Sequence, residues 1–228
     1  MASDNKIMGS SVGRKFAMAL SGLFLVSFLL LHVTINFVSV ISADAYNAAS
    51  HFMGTNPLIQ FAMQPVLAFG VIFHLGMGMR LELQNRAARP IQYASNKASA
   101  NSNWMSRNMI ITGIMIFLFL GLHFYDFWIP ELNTKFIAGD MSGLNAAGEF
   151  RYYEELQHKF ADPIRVGLYV LSFIFLGLHL MHGFQSAFQS VGFNHNKYTP
   201  MIKKLSNAFA VVVPLGFLIV AVFHFLSH

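Results

Sequence analysis

The run "FAMALSGLFLVSFLLLHVTINFVSVI" at residues 16–41 decides the fold class. A span needs about 20 mostly apolar residues to cross about 30 Å of hydrocarbon at 1.5 Å per residue, and this run is long enough. Its start, "GRK" followed by apolar residues, also resembles a secretory leader. The run is longer than a leader's apolar core and carries His32 and Asn36, so we expect a retained first span rather than a cleaved one.

The rest of the chain agrees. Of 228 residues, 55% are hydrophobic and 11% charged, with mean hydropathy +0.51, outside what one soluble core can hide. Five segments qualify as spans: 16–41, 58–80, 108–129, 164–188 and 207–227. The fold class is therefore an all-α membrane protein, a bundle of five transmembrane helices over a single domain, 1–228. Pro163 suits the first turn of the fourth span. Pro65 and Pro214 fall inside the second and fifth, which is tolerated where neighbours satisfy the freed carbonyl. No cysteine is present, which excludes disulfides, thiolate metal sites and cysteine-held iron–sulfur clusters in this chain.

The net charge of +5 does not point to nucleic acid, because the basic residues cluster at span ends. With a cytoplasmic N-terminus and an outer C-terminus, Lys6, Arg14, Lys15, Arg80, Arg86, Arg89, Lys97, Arg107, Lys197, Lys203 and Lys204 lie inside, and only Lys135, Arg151, Lys159 and Arg165 outside. That is the positive-inside bias. The inner loop 82–104 is polar and basic and suits docking of a cytoplasmic partner. In the outer segment 130–163, Phe150, Tyr153, Leu156 and Phe160 fall near helical spacing, which suits either a short amphipathic helix on that face or an ordinary loop.

Histidine inside a membrane span is costly and reads first as functional. Four consecutive spans carry it: His32, His74, His123, and His179 with His182. Counting the helical rise from the inner ends puts His32 and His123 about 24–26 Å deep, and His74 and His179 about 9 Å deep. Two imidazoles at one depth, with no carboxylate beside them, suit haem iron held from both faces, whereas zinc asks for more ligands at one level. Gly78 and Gly183 follow an inner histidine by four residues and would let a flat macrocycle, or another helix, approach closely. His179 is preferred to His182, three residues on, because it shares that glycine spacing with His74 and ends "FIFLGLH" (173–179), a near copy of "FLFLGLH" (117–123). His182 is then a group near the site. His224 reads as interfacial, and His51, His158, His195 and His228 as loop or terminal residues.

Five spans, one ligand-type histidine in each of the first four, and the phrase "HLMHGFQSAFQSVG" (179–192) resemble the five-helix, di-haem cytochrome b subunit of succinate:quinone oxidoreductases, the succinate dehydrogenases and quinol:fumarate reductases, in its Bacteroidetes-like form. The resemblance covers nearly the whole chain. It implies two b haems with His32 and His123 as the distal iron ligands and His74 and His179 as the proximal ones. It implies a bacterial cytoplasmic membrane location and partner subunits on the cytoplasmic face: a flavoprotein with FAD and the dicarboxylate site, and an iron–sulfur subunit. Electrons would pass between the latter and a quinone, menaquinone being expected, with no catalytic residue in this chain and with the complex able to form a higher oligomer. Some relatives that oxidise menaquinol use a glutamate near the outer start of the second span; here "GTNPLIQFAMQP" (54–65) has no acid, leaving Gln60, Gln64, His51 and Asp126 as polar candidates without an assigned role. Two rivals remain: a membrane cytochrome b of a formate dehydrogenase or hydrogenase, and a haem-free transporter with histidines along a proton path.

Overall fold

A computed structural model describes residues 10–87 and 108–228. Most of the loop 82–104, together with Lys6, Arg89, Lys97 and Arg107, lies outside the described residues. Helix dominates, and five helices are long and apolar enough to span a membrane: α1 Ser11–Ile41, α3 Ile59–Ala87, α4 Met109–Ile137, α6 Pro163–Ser190 and α7 Thr199–Leu226. Two shorter helices, α2 Ala43–Thr55 and α5 Tyr152–Phe160, pack together at one end of the bundle. We call this the capped end, and the opposite one the basic end, after Arg14, Lys15, Arg80, Arg86, Lys203 and Lys204.

The boundaries follow from local chemistry. Ser10 caps α1 by accepting from Gly13 N at 3.0 Å. At the other end Ser42, in extended conformation, both terminates α1 and caps α2 through Ala45 N. One residue thus turns the chain from spanning to lying across the bundle. Asp162 caps α6, with Pro163 in its first turn as expected. Gly192, at φ +99°, ends α6: Phe193 N reaches back to Phe188 O and Gly192 N to Gln189 O, a closure that needs a left-handed residue.

Four expectations change. α3 runs seven residues past 80, into the segment expected as the inner loop 82–104. The helix α2 falls where the sequence suggested only a connection. α4 runs eight residues past 129, through Pro130. α7 begins eight residues before 207, its first turn opened by Pro200 and its exposed Lys203 and Lys204 alternating with buried Ile202 and Ser206. Wide π-type turns occur at Ile59–Met63, Phe124–Trp128 and Asn133–Ile137. Each holds one buried polar residue, respectively Gln60, Asp126 and Lys135. A wide turn re-aims a side chain without ending the helix, and such turns recur at functional sites.

The core is built mainly by α6 and α7, where Tyr169, Phe173, Val213, Phe217 and Ala221 pack with Val33 of α1. At the capped end it continues into Tyr46, Leu156 and Phe160, so α5 buries two residues of the expected face, with Tyr153 half-buried beside them and Phe150 lying before the helix begins. Large apolar side chains such as Leu30, Phe69, Phe117 and Val212 point outward, as on helices solvated by lipid. Inside α7, Pro214 deprives Ala210 O of its helical donor. Gly177 of α6 lies against that same oxygen: a Cβ at 177 would sit 3.1 Å from it. The glycine Cα–H thus approaches the freed carbonyl, a weak but systematic helix–helix contact.

Candidate functional site

The four span histidines meet as two pairs. His32 of α1 faces His123 of α4, with ring centres 5.8 Å apart and planes crossed at 75°. His74 of α3 faces His179 of α6, at 6.5 Å and 71°. Two imidazoles on opposite sides of one metal, through bonds of about 2 Å, place their ring centres about 6 Å apart, so both pairs have the spacing of a shared axial site. Among the described residues no group of three or more His, Asp or Glu gathers to hold an ion. Each pair therefore offers two ligands and leaves the remaining positions to a group such as a porphyrin.

The relative depth of the pairs can be read along one helix. Ser21 of α1 touches His74, and His32 lies eleven residues further along α1. Thr112 of α4 touches His179, and His123 lies eleven residues further along α4. Both helices thus separate the pairs by about 16 Å of rise. The His74/His179 pair is nearer the basic end, and the His32/His123 pair nearer the capped end.

Surroundings differ between the pairs. At the capped-end pair, Phe28 stacks on His32 with centres at 5.3 Å, Phe119 stacks on His123 at 5.7 Å, and Phe217 tilts against His32. The Nδ1 of His123 is buried with no hydrogen-bond partner, and that of His32 meets Asn36 Nδ2 at 3.3 Å. At the other pair, His74 Nδ1 lies 3.0 Å from Ser21 Oγ and His179 Nδ1 3.2 Å from Thr112 Oγ1. Glycines follow those hydroxyl residues: a Cβ at Gly22 would be 3.4 Å from His74 Cε1, and at Gly113 3.7 Å from His179 Cε1. Gly78 and Gly183, expected to admit a macrocycle or another helix, face the methyl groups of Met18 and Met109. Here they permit close helix packing. His182 is half-buried and makes no hydrogen bond or ring contact among the described residues.

Sequence reading missed Ser21, Gly22, Thr112 and Gly113. Their signal was available in "MALSG" (18–22) and "MIITG" (109–113), each preceding its own helix's histidine by the same interval.

His224 requires correction. It is wholly buried rather than interfacial, because Ser39 of α1 and the edge of Tyr153 enclose it: its Nε2 lies 2.8 Å from Ser39 Oγ, and that hydroxyl donates to Asn36 O at 2.6 Å. His51 and His158 are likewise not loop residues: His158 lies on α5, and His51 sits on α2 with its ring stacked 4.2 Å from Phe150.

The remaining polar candidates lie at the capped end. Asp126, 1% exposed, accepts from Tyr169 OH at 3.0 Å and pairs with Arg165, whose Nε is 3.1 Å away. It borders a cavity of about 520 Å³ that Glu154, Glu155, His158 and Lys159 also line. Gln60 is buried and contacts Met141 Sδ at 3.9 Å, and Gln64 is half-buried. Lys135, 3% exposed, donates to Gly54 O and pairs with Glu131 at 2.7 Å; Glu131 also binds Arg151, which reaches Glu155. Burial disfavours the Arg151 charge, but hydrogen bonds to Glu131 and Glu155 outweigh it and hold the guanidinium above its ordinary range. Burial, aided by Glu131, pushes the Tyr152 phenol up to about 12, and burial does the same for Tyr46. Such a buried ionic knot ties α4 to the α2 and α5 cap.

No family model and no solved structure matches the chain. It is similar to the succinate dehydrogenase cytochrome b558 subunit of Bacillus subtilis (strain 168), with 22% identity over 190 residues that cover 82% of this chain and 81% of that one.

Proposed function

We propose that the chain is the di-haem membrane anchor of a succinate:quinone oxidoreductase, with His32 and His123 holding one b haem toward the capped end and His74 and His179 holding the other toward the basic end. The observation that carries this reading is the meeting of four histidines from four helices as two facing pairs, at 5.8 and 6.5 Å. His179 rather than His182 is the fourth ligand, since it faces His74 and contacts Thr112. Bound there, haem supplies one-electron transfer between an iron–sulfur subunit and a membrane quinone.

The residues of the chain do the rest. The histidine nitrogens hold the iron, Phe28, Phe119 and Phe217 fix ring orientation and keep water out, and the bundle sets the two sites about 16 Å apart in depth. The basic end faces the cytoplasm and receives the iron–sulfur subunit, which a flavoprotein carrying FAD and the dicarboxylate chemistry accompanies. The capped end faces outward. Menaquinone is the expected quinone, and its contact residues are left unassigned.

The test begins with haem quantitation and a reduced-minus-oxidised spectrum of the purified protein. Two b haems per chain are expected, and none would sink the reading. His32→Ala and His123→Ala should remove one spectral component, and His74→Ala and His179→Ala the other. Loss of low-spin haem in His182→Ala but not in His179→Ala would overturn the fourth ligand. Co-purification of a flavoprotein and an iron–sulfur protein tests the partners.

A further inference from the structure

We infer that Ser21 and Thr112 are positioning residues for the His74/His179 pair: each hydroxyl receives the Nδ1–H of a histidine on the neighbouring helix and so leaves its Nε2 lone pair free to face the opposite histidine. The inference rests on the haem reading of that pair and deepens it.

The argument starts from the single proton of a hydroxyl group. Ser21 Oγ has Met18 O at 2.8 Å and His74 Nδ1 at 3.0 Å. A carbonyl oxygen can only accept, and it is the nearer of the two, so the hydroxyl proton goes there and the oxygen lone pair is turned to Nδ1. Nδ1 must then be the protonated nitrogen. A neutral imidazole carries one N–H, which leaves Nε2 unprotonated and able to bind a metal. Thr112 repeats this: Oγ1 donates to Met109 O at 2.9 Å and stands 3.2 Å from His179 Nδ1.

The repetition extends beyond the hydroxyls. In both copies the next residue is glycine, on which the Cε1 edge of the imidazole rests, and in both the methionine three residues earlier covers the glycine four residues after the histidine. Met18, Ser21, Gly22 and His32 on α1 stand to His74 and Gly78 on α3 as Met109, Thr112, Gly113 and His123 on α4 stand to His179 and Gly183 on α6. One local construction is thus used twice, with its two products facing each other. The capped-end pair has nothing comparable. His123 Nδ1 is buried without a partner, and His32 Nδ1 meets the Asn36 amide nitrogen, which can only donate and also donates to His32 O.

An acceptor at Nδ1–H makes an imidazole a stronger ligand, and losing it typically costs 10–100-fold in metal affinity. The stronger donor favours ferric iron, so removing the acceptor should raise the reduction potential. Each tenfold loss of ferric preference is a rise of about 59 mV for a one-electron couple.

The experiment is a redox titration, followed by low-temperature optical spectra, of the purified haem-loaded protein with whatever subunits accompany it, comparing wild type with Ser21→Ala, Thr112→Val and Thr112→Ser. Thr112→Val keeps the shape and replaces the hydroxyl with a methyl group; Thr112→Ser keeps the hydroxyl. We expect Ser21→Ala and Thr112→Val to raise the midpoint of the component that His74→Ala removes, by the equivalent of about tenfold or more, or to empty that site. The His32/His123 component should stay at its wild-type midpoint and serves as the internal control of folding. Thr112→Ser should titrate as wild type. Unchanged midpoints in both hydroxyl-free variants, or equal shifts of both components, would overturn the inference while leaving the haem reading intact. A wild-type protein without haem, or a His74→Ala variant that keeps both components, would instead defeat the haem reading.

Discussion

Gly121 and Gly177 occupy the same place in the two near-identical phrases, and the structure requires them to respond oppositely to alanine. At Gly121 an added Cβ meets nothing within 4 Å. Alanine there should gain the ordinary preference over glycine in a helix interior, about 0.5–1 kcal/mol. At Gly177 the same Cβ would lie 3.1 Å from Ala210 O and 3.6 Å from Pro214 Cγ. Neither neighbour is the free end of a flexible side chain, so α6 and α7 must separate. Overpacking of this kind costs about 1–3 kcal/mol, which exceeds the propensity gain. Relative to wild type, Gly177→Ala should lose up to about 2 kcal/mol, and the gap between the two variants should be about 1–3 kcal/mol. Thermal or denaturant unfolding of the purified protein in detergent, followed by helical signal, measures both. Equal stability of Gly177→Ala and Gly121→Ala would refute the packing argument, because it would mean that Ala210 O and Pro214 do not press against α6.

Ser39→Ala would strand the buried Nε2 of His224, and an unmade bond of this kind costs about 1–3 kcal/mol; unfolding of Ser39→Ala at wild-type stability would deny that His224 ties α7 to α1. Glu131→Gln removes the carboxylate that Lys135 and Arg151 share, and with Lys135 almost wholly buried the loss should approach about 3 kcal/mol, read as earlier proteolysis and melting of the α2 and α5 cap. A pH titration of stability tests Tyr152: its phenol is raised from 10.0 to about 12, so the unfolded chain ionises first and stability, constant in this respect below about 10, falls as pH rises from about 10 toward 12. Tyr152→Phe should make that part of the curve less steep, with Tyr46 keeping its own share, and an unchanged slope would show that Tyr152 does not cause it.

Spans, histidine order and pairing were open to sequence reading because each rests on a regularity of the single helix: length against bilayer thickness, and rise per residue against depth. The amphipathic α5 was legible for the same reason, through Leu156 and Phe160. What escaped depends on neighbours. In α2, Tyr46 is the one buried residue, too weak a pattern to mark a helix without the cap it packs into. Wide turns at Gln60, Asp126 and Lys135 cannot be read from propensity, since only the partners of those side chains make burying them tolerable. The early start of α7 was hidden because Lys203 and Lys204 read as loop, although long basic side chains at a helix end can extend away from the apolar region. His224 looked interfacial by depth alone; Ser39, 185 residues away in sequence, makes it internal.

Likeness between two short phrases says little about equivalence until direction and depth are matched. "FLFLGLH" and "FIFLGLH" lie on α4 and α6, which run in opposite directions, and their histidines go to different pairs. Their glycines do different work as well, one open and one pressed against a proline-freed carbonyl. The segments that are equivalent, "MALSG" and "MIITG", share only Met and Gly, yet they lie on helices that run the same way and start at the same end. There the same intervals to the neighbour's histidine and to the helix's own histidine recur, because a helix converts equal intervals into equal depth and equal facing. Membrane spans are therefore better compared by the intervals between their polar and small residues than by their apolar wording, which lipid constrains only in composition.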